Sequence, residues 1–140
     1  MDLNFQTTEL VDENGLIDEN TKVRHDILQT TLLWNLPTIL IISLKRFSYN
    51  GTKNNKLIDF PVNDMNMNKY VSGYKKENHY ELFGVCNHSG VSAGGHYTCY
   101  VKTFNKKWYL FNDQMVTEIK DNLNQIITAK AYCLFYRLKN

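Results

Sequence analysis

His79–Asp113 reads HYELFGVCNHSGVSAGGHYTCYVKTFNKKWYLFND. Three runs rich in aromatic and β-branched residues, HYELFGVCNH, GGHYTCYVKTF and KKWYLFND, are separated by a Ser/Gly bend and by a tight turn near Asn105. That alternation predicts consecutive antiparallel strands, the first from His79 to about His88. Gly94 and Gly95 carry no side chain, so another backbone can come close to the strand just before His96. The plainer reading is a turn or bulge marker, with His96 as the first side chain after it. Folding KKWYLFND back about Asn105 sets His96 and Asn112 at nearly opposite positions. An Asn or Asp against one ring nitrogen of a histidine fixes the tautomer and aims the other nitrogen, which is what a general base needs. The alternative is a polar strand end capping a turn.

Outward from this block, TILIISLKRFSY (Thr38–Tyr49) predicts another strand. Leu40, Ile42 and Leu44 share one face and Ile39, Ile41 and Ser43 the other, so both faces begin apolar and the strand is expected to be central or covered. KLIDFPV is a short extended piece, and NDMNMNKY has room for one helical turn near Asp64. A short helix is expected over Arg24–Leu32 and another over Asn122–Ile127, with loop between Asp113 and the latter. AKAYCLFYRL closes the chain as a strand. The first twenty residues read as an acidic tail or a segment awaiting a pairing partner. The fold class is therefore mainly β, a twisted antiparallel sheet with few helices.

The 140 residues fit one domain with a substantial core, and aromatics reach 13%. A net charge of +2 without a Lys/Arg block gives no nucleic-acid footprint. No apolar run approaches the roughly 20 residues of a membrane span. The acidic start has no basic leader, so the expected location is cytoplasmic or nuclear, not secreted. Cys86, Cys99 and Cys133 are widely spaced with no CxxC, and His79, His88 and His96 match no compact zinc spacing; no metal or other cofactor is expected.

A histidine base calls for a nucleophile. Cys99 lies three residues past His96, on the opposite strand face, and Cys86 and Cys133 are embedded in apolar strands, so all three read as structural thiols. Ser89 and Ser92 lack a nucleophile-elbow setting. Tyr97, Tyr100, Trp108 and Tyr109 read as sheet core and cross-strand pairs rather than a base-stacking stripe.

LPTILIISLKRFSYN, KLIDFPV, YELFGVCNHSGVSAGGHYTCYVK, WYLFND and AYCLFYRL, in this order and spacing, resemble the C-terminal half of the catalytic domain of ubiquitin-specific proteases, which are papain-like deubiquitinating cysteine hydrolases. The resemblance implies a palm sheet in an α+β context over residues 33–140, with residues 1–32 a polar segment similar to the returning edge of the fingers. It places the catalytic histidine on His96, the third triad member on Asn112 and a supporting acid on Asp113. Gly94 and Gly95 would border the channel for the Gly-Gly tail of ubiquitin, with His88 and Tyr97 lining the same cleft. The family's nucleophile sits in an N-terminal box of the form GLxNLGNTCYxN, and neither that box nor the helical thumb carrying it is in these residues. Two functions are thus expected to compete. One is the base-bearing part of a ubiquitin (iso)peptidase, with ubiquitin or a ubiquitin-like protein and a thumb half carrying the Cys box as partners. The other is an inactive ubiquitin-binding or scaffold module. Palm surface left bare is expected to favour association.

Overall fold

The computed structural model describes residues 5–74, 77–120 and 123–139. One compact unit gathers residues 1–35 and 68–76. Within it β1 (Thr8–Leu10) pairs with β4 (Ile27–Gln29) and β2 (Leu16–Ile17) with β3 (Arg24–His25), all antiparallel. The helix expected over Arg24–Leu32 is therefore two short strands. Ile27 and Leu28 followed by Thr30-Thr31 give no helical stripe, and pairing with residues 8–17 satisfies backbone groups of both segments. The same pairing makes the acidic start a folded element rather than a tail. Leu33 is tied to residues 70–72 through Leu33 N–H to Tyr70 O (2.8 Å) and Ser72 N–H to Leu33 O (2.7 Å).

The second unit comprises residues 36–67 and 77–140. Its strands are β5 (Ile39–Ser43), β6 (Met65–Asn66), β7 (His79–Val91), β8 (Gly94–Lys102), β9 (Trp108–Asn112), β10 (Met115–Ile119) and β11 (Ala131–Leu138). They form one antiparallel sheet in the order β10-β9-β8-β7-β11-β5. Met65 pairs with Tyr80, whose other side pairs with Leu138, so β6 continues the line of β8 along β7. The long central β7 is what carries the hairpin tip, and with it His96, beyond the rest of the sheet.

Three expectations are corrected here. β5 is an edge strand and stops at Ser43, because β11 comes between it and β7; Ile39 and Ile41 stay 47% and 58% exposed. The loop expected after Asp113 contains β10, which pairs Met115–Ile119 along β9 across a two-residue turn. The segment expected as a helix over Asn122–Ile127 is a single 3-10 turn, Leu123–Ile126, with Asn122 outside the described residues. Near Asp64 the expected turn appears as β6 followed by a 3-10 turn at Asn68–Tyr70.

One face of the sheet buries Tyr80, Leu82, Val85, Leu134 and Tyr136, each at most 2% exposed. Side chains of this size contribute about 1.5–3 kcal/mol each when fully buried. The two tyrosine hydroxyls donate to Pro37 O (2.6 Å) and Pro61 O (2.8 Å), anchoring the extended Pro segments over that face. The opposite face carries Ile41, Phe135, Gly84 and Val101 in one cross-strand row and is only half covered. Val101 opposes Tyr109 in register, so Leu110 faces the other way. Among the described residues no helix is long and apolar enough to cross a membrane.

Glu81 clasps three strands, accepting from Lys102 Nζ (2.8 Å) on β8 and Arg137 Nε (2.7 Å) on β11. The Lys102 ammonium, then the Arg137 guanidinium, holds its carboxyl below the usual range against the opposing effect of burial. A depressed carboxylate stabilises the fold above its unfolded value and loses that contribution as pH falls through its folded value. Glu81→Gln is expected to lower stability at neutral pH by about 1 kcal/mol, allowing for the partly exposed partners. Urea melts should show the difference fading below about pH 4.3. A gap that persists in acid would mean packing, not charge, is lost.

Candidate active site

β7 and β8 are joined by the two-residue turn Ser92-Ala93, closing on the pair Val91–Gly94. Gly95 faces inward at this tip. A Cβ there would lie 2.4 Å from His88 Nε2 and 2.5 Å from Ser89 O, so only glycine lets β8 press against β7. Gly94 differs: a Cβ would meet nothing within 4 Å. Gly95 is thus fixed by the fold, while the bare backbone at Gly94 is not.

His96 follows on β8. Cys99 opposes Phe111, which puts Thr98 opposite Asn112 and makes His96 the diagonal neighbour of Asn112 on the same face. His96 Nε2 lies 2.6 Å from Asn112 Oδ1. Because that oxygen can only accept, Nε2 carries the proton and donates. Nδ1 is left with its lone pair and without a hydrogen-bond partner among the described residues. The ring is half-exposed, at 51%. Asp113 begins the β9–β10 turn at φ +51, in the left-handed region that Asp tolerates, and its Oδ2 stands 3.9 Å from His96 Nε2.

The other face of the hairpin tip holds His88, 3% exposed. Its ring packs against Tyr97 (4.7 Å between centroids), Phe47 (5.7 Å) and Tyr132 (5.8 Å). Lys53 Nζ donates to His88 Nδ1 (3.1 Å) and His88 O (2.5 Å). Desolvation and then the Lys53 charge hold this imidazole below the usual histidine range, so it is neutral with its proton on Nε2, against Gly95. His88, Gly94, Gly95 and Tyr97 border one pocket of about 290 Å³, completed by Phe47, Tyr132 and the turn.

The seven residues singled out in the sequence therefore gather at one end of the sheet, split between two faces of β8. His96, Asn112 and Asp113 lie on one face or its adjoining turn; His88 and Tyr97 lie on the other, with Gly94 and Gly95 at the strand's start. Lys53, Phe47 and Tyr132 were not read as site residues. The lysine sits in NGTKNN, a stretch whose only sequence signal is a loop, and it meets His88 across 35 positions. The three free cysteines are half-buried, and burial pushes the Cys86 and Cys99 thiols up. Cys99 faces away from His96 by strand alternation. Among the described residues no three His, Cys, Asp or Glu side chains gather to hold a metal ion.

A family model described as ubiquitin carboxyl-terminal hydrolase matches residues 5–136. Ubiquitin carboxyl-terminal hydrolase 10 of Arabidopsis thaliana is 44% identical over 110 residues, covering 75% of this chain and 12% of its own length. Ubiquitin carboxyl-terminal hydrolase 19 of Homo sapiens is 38% identical over 133 residues, covering 85% and 10%. Among solved structures, a chain of the SAGA DUB module Ubp8/Sgf11/Sus1/Sgf73 bound to ubiquitin aldehyde superimposes with a TM-score of 0.80 at 28% identity, over 99% of this chain and 32% of that one. The chain thus spans about a tenth of these curated relatives and about a third of the solved one.

Proposed function

The chain belongs to the ubiquitin carboxyl-terminal hydrolase family, and from that premise we propose that it is the base-bearing palm of a deubiquitinating cysteine peptidase cleaving after the C-terminal glycine of ubiquitin. The observation that carries this reading is the 2.6 Å contact between His96 Nε2 and Asn112 Oδ1. It presets the tautomer in which Nδ1 can take a proton.

In this reading the thiol comes from outside the residues described here. Nδ1 of His96 accepts the thiol proton as sulfur attacks the carbonyl of the scissile amide. The imidazolium then returns that proton to the departing amine, and the ubiquitin carboxyl is held as a thioester. Water, deprotonated by the same Nδ1, releases the acid and restores the thiol. Asn112 keeps the ring oriented throughout, and the Asp113 carboxylate stabilises the transient positive charge. Gly94 offers open backbone for an extended tail, and the His88–Tyr97 pocket flanks it. The ubiquitin aldehyde bound by the Ubp8 module supports ubiquitin as the partner.

Mixing the chain with a Cys-box half from a relative and a fluorogenic ubiquitin C-terminal amide tests this. Turnover is expected only in the mixture. Gly94→Ala should raise KM without changing the melting temperature, whereas Gly95→Ala should lower the melting temperature. Turnover by the chain alone, lost on replacing Cys86, Cys99 or Cys133, would show the nucleophile to be internal. Ubiquitin binding with no turnover in any mixture would favour the scaffold reading.

A further inference from the structure

The three cysteines stand in one cross-strand row: Cys133 on β11 opposes Cys86 on β7, and Cys86 opposes Cys99 on β8. The two pairs are not equivalent. A two-residue turn can close only on a hydrogen-bonded pair, so Val91–Gly94 is of that kind, and the ladder alternates from there without a register shift. Counting back, Gly90–Gly95 is non-hydrogen-bonded, Ser89–His96 bonded, His88–Tyr97 non-bonded, Asn87–Thr98 bonded and Cys86–Cys99 non-bonded. In such pairs the Cα atoms are about 4.5 Å apart and the side chains closest, which falls inside the range a disulfide spans. The N–H and C=O of Cys86 then point toward β11. That makes Cys86–Cys133 a wide pair, about 5.5 Å between Cα atoms, with a register shift beside it.

We propose that Cys86 and Cys99 form a latent dithiol site that a small peroxide closes into a cross-strand disulfide, stapling the hairpin that carries Gly94, Gly95 and His96. Both cysteines border an apolar pocket of about 320 Å³ with Phe83, Val101 and Phe135, a route for an uncharged oxidant such as hydrogen peroxide. One thiolate attacks a peroxide oxygen, giving a sulfenic acid and, after protonation, one water. The second thiolate attacks that sulfur, the S–S bond forms, and the hydroxyl leaves as a second water. Two thiols lose two electrons and two protons, and the peroxide gains both. Burial keeps both thiols protonated at neutral pH, so the reaction accelerates as pH rises past the ordinary thiol range. This site stands apart from the hydrolase reading and needs no turnover to be seen.

The sequence supplies its own assay. No Lys or Arg lies between Glu77 and Val101, so trypsin leaves Cys86 and Cys99 on one peptide ending at Lys102, while Cys133 falls on another ending at Arg137. The reduced chain, treated with a small excess of hydrogen peroxide and then alkylated, is expected to yield the 77–102 peptide lighter by two hydrogens, with Cys133 alkylated. The melting temperature of the oxidised chain should rise by several degrees and return on reduction. Cys133→Ala should react at the same rate. Cross-linking of the two peptides, oxygen added to Cys86 or Cys99 in place of the bridge, no reaction, or a lower melting temperature would each overturn the proposal.

Discussion

His96→Gln is expected to lower kcat/KM on a ubiquitin C-terminal amide by about 10⁴-fold in the presence of a thiol-bearing half, while ubiquitin affinity stays within about threefold. The size follows from the double duty of the imidazole. An ordinary thiol, with a pKa of about 8.5, is mostly protonated at neutral pH, so attack needs a base. The leaving amine then needs an acid, and an imidazole, which can accept a proton and then give it back, serves both steps. Glutamine fills similar space and does neither. Asn112→Ala should cost less, about 10²-fold, because the imidazole persists but its tautomer and aim are no longer held by the 2.6 Å contact. Asn112→Asp keeps an acceptor at that place and should retain most of the activity. A loss at Asn112 exceeding that at His96, or turnover surviving His96→Gln, would remove His96 from the role of base.

This site was legible because its parts are local. His96 and Asn112 lie on neighbouring strands joined by a short turn at residues 103–107, so counting along a hairpin brings them together. The glycines before His96 announce a tight tip, although their different reasons emerge only when His88 is seen against Gly95 and open space against Gly94. What sequence could not disclose is non-local or carries an unusual turn. Ile39 and Ile41 look like a central strand by composition, but the sheet order that leaves β5 at the edge depends on where β11, some ninety positions on, inserts. β10 was hidden because its turn uses Asp113 at positive φ instead of a glycine pair. Lys53 and His88 meet only after a distant loop packs against β7, and nothing in NGTKNN marks the lysine for it.

Arg46→Met is expected to destabilise the fold by about 2–4 kcal/mol, the largest stability loss anticipated for a single side chain here. Arg46 is 2% exposed and, among the described residues, pairs with no carboxylate. Its Nε donates to Ala131 O (2.5 Å), and Nη1 donates to Asn54 O (2.9 Å) and Lys56 O (2.8 Å). Ala131 is fully buried, so its carbonyl would lose this donor with no access to solvent. The other two carbonyls belong to exposed residues and can turn to water, which limits their share. Two terms act the other way: methionine relieves the desolvated charge and removes Nη2, which is buried without a partner. The carbonyls outweigh them because the guanidinium clamps the loop of residues 46–56 to the start of β11, and methionine offers no replacement donor. Lysine at this position cannot reproduce the fork and should fall between arginine and methionine. Urea melts would give that order, and methionine matching arginine would show the buried charge to be the dominant cost. The same loop holds Phe47 and Lys53 against His88, so in Arg46→Met the amide of His96, which lies in the hydrogen-bonded pair with Ser89, should exchange faster in native-state hydrogen exchange than those of β9. Uniform acceleration across the sheet would mean that the arginine supports the whole fold without a particular coupling to the hairpin tip.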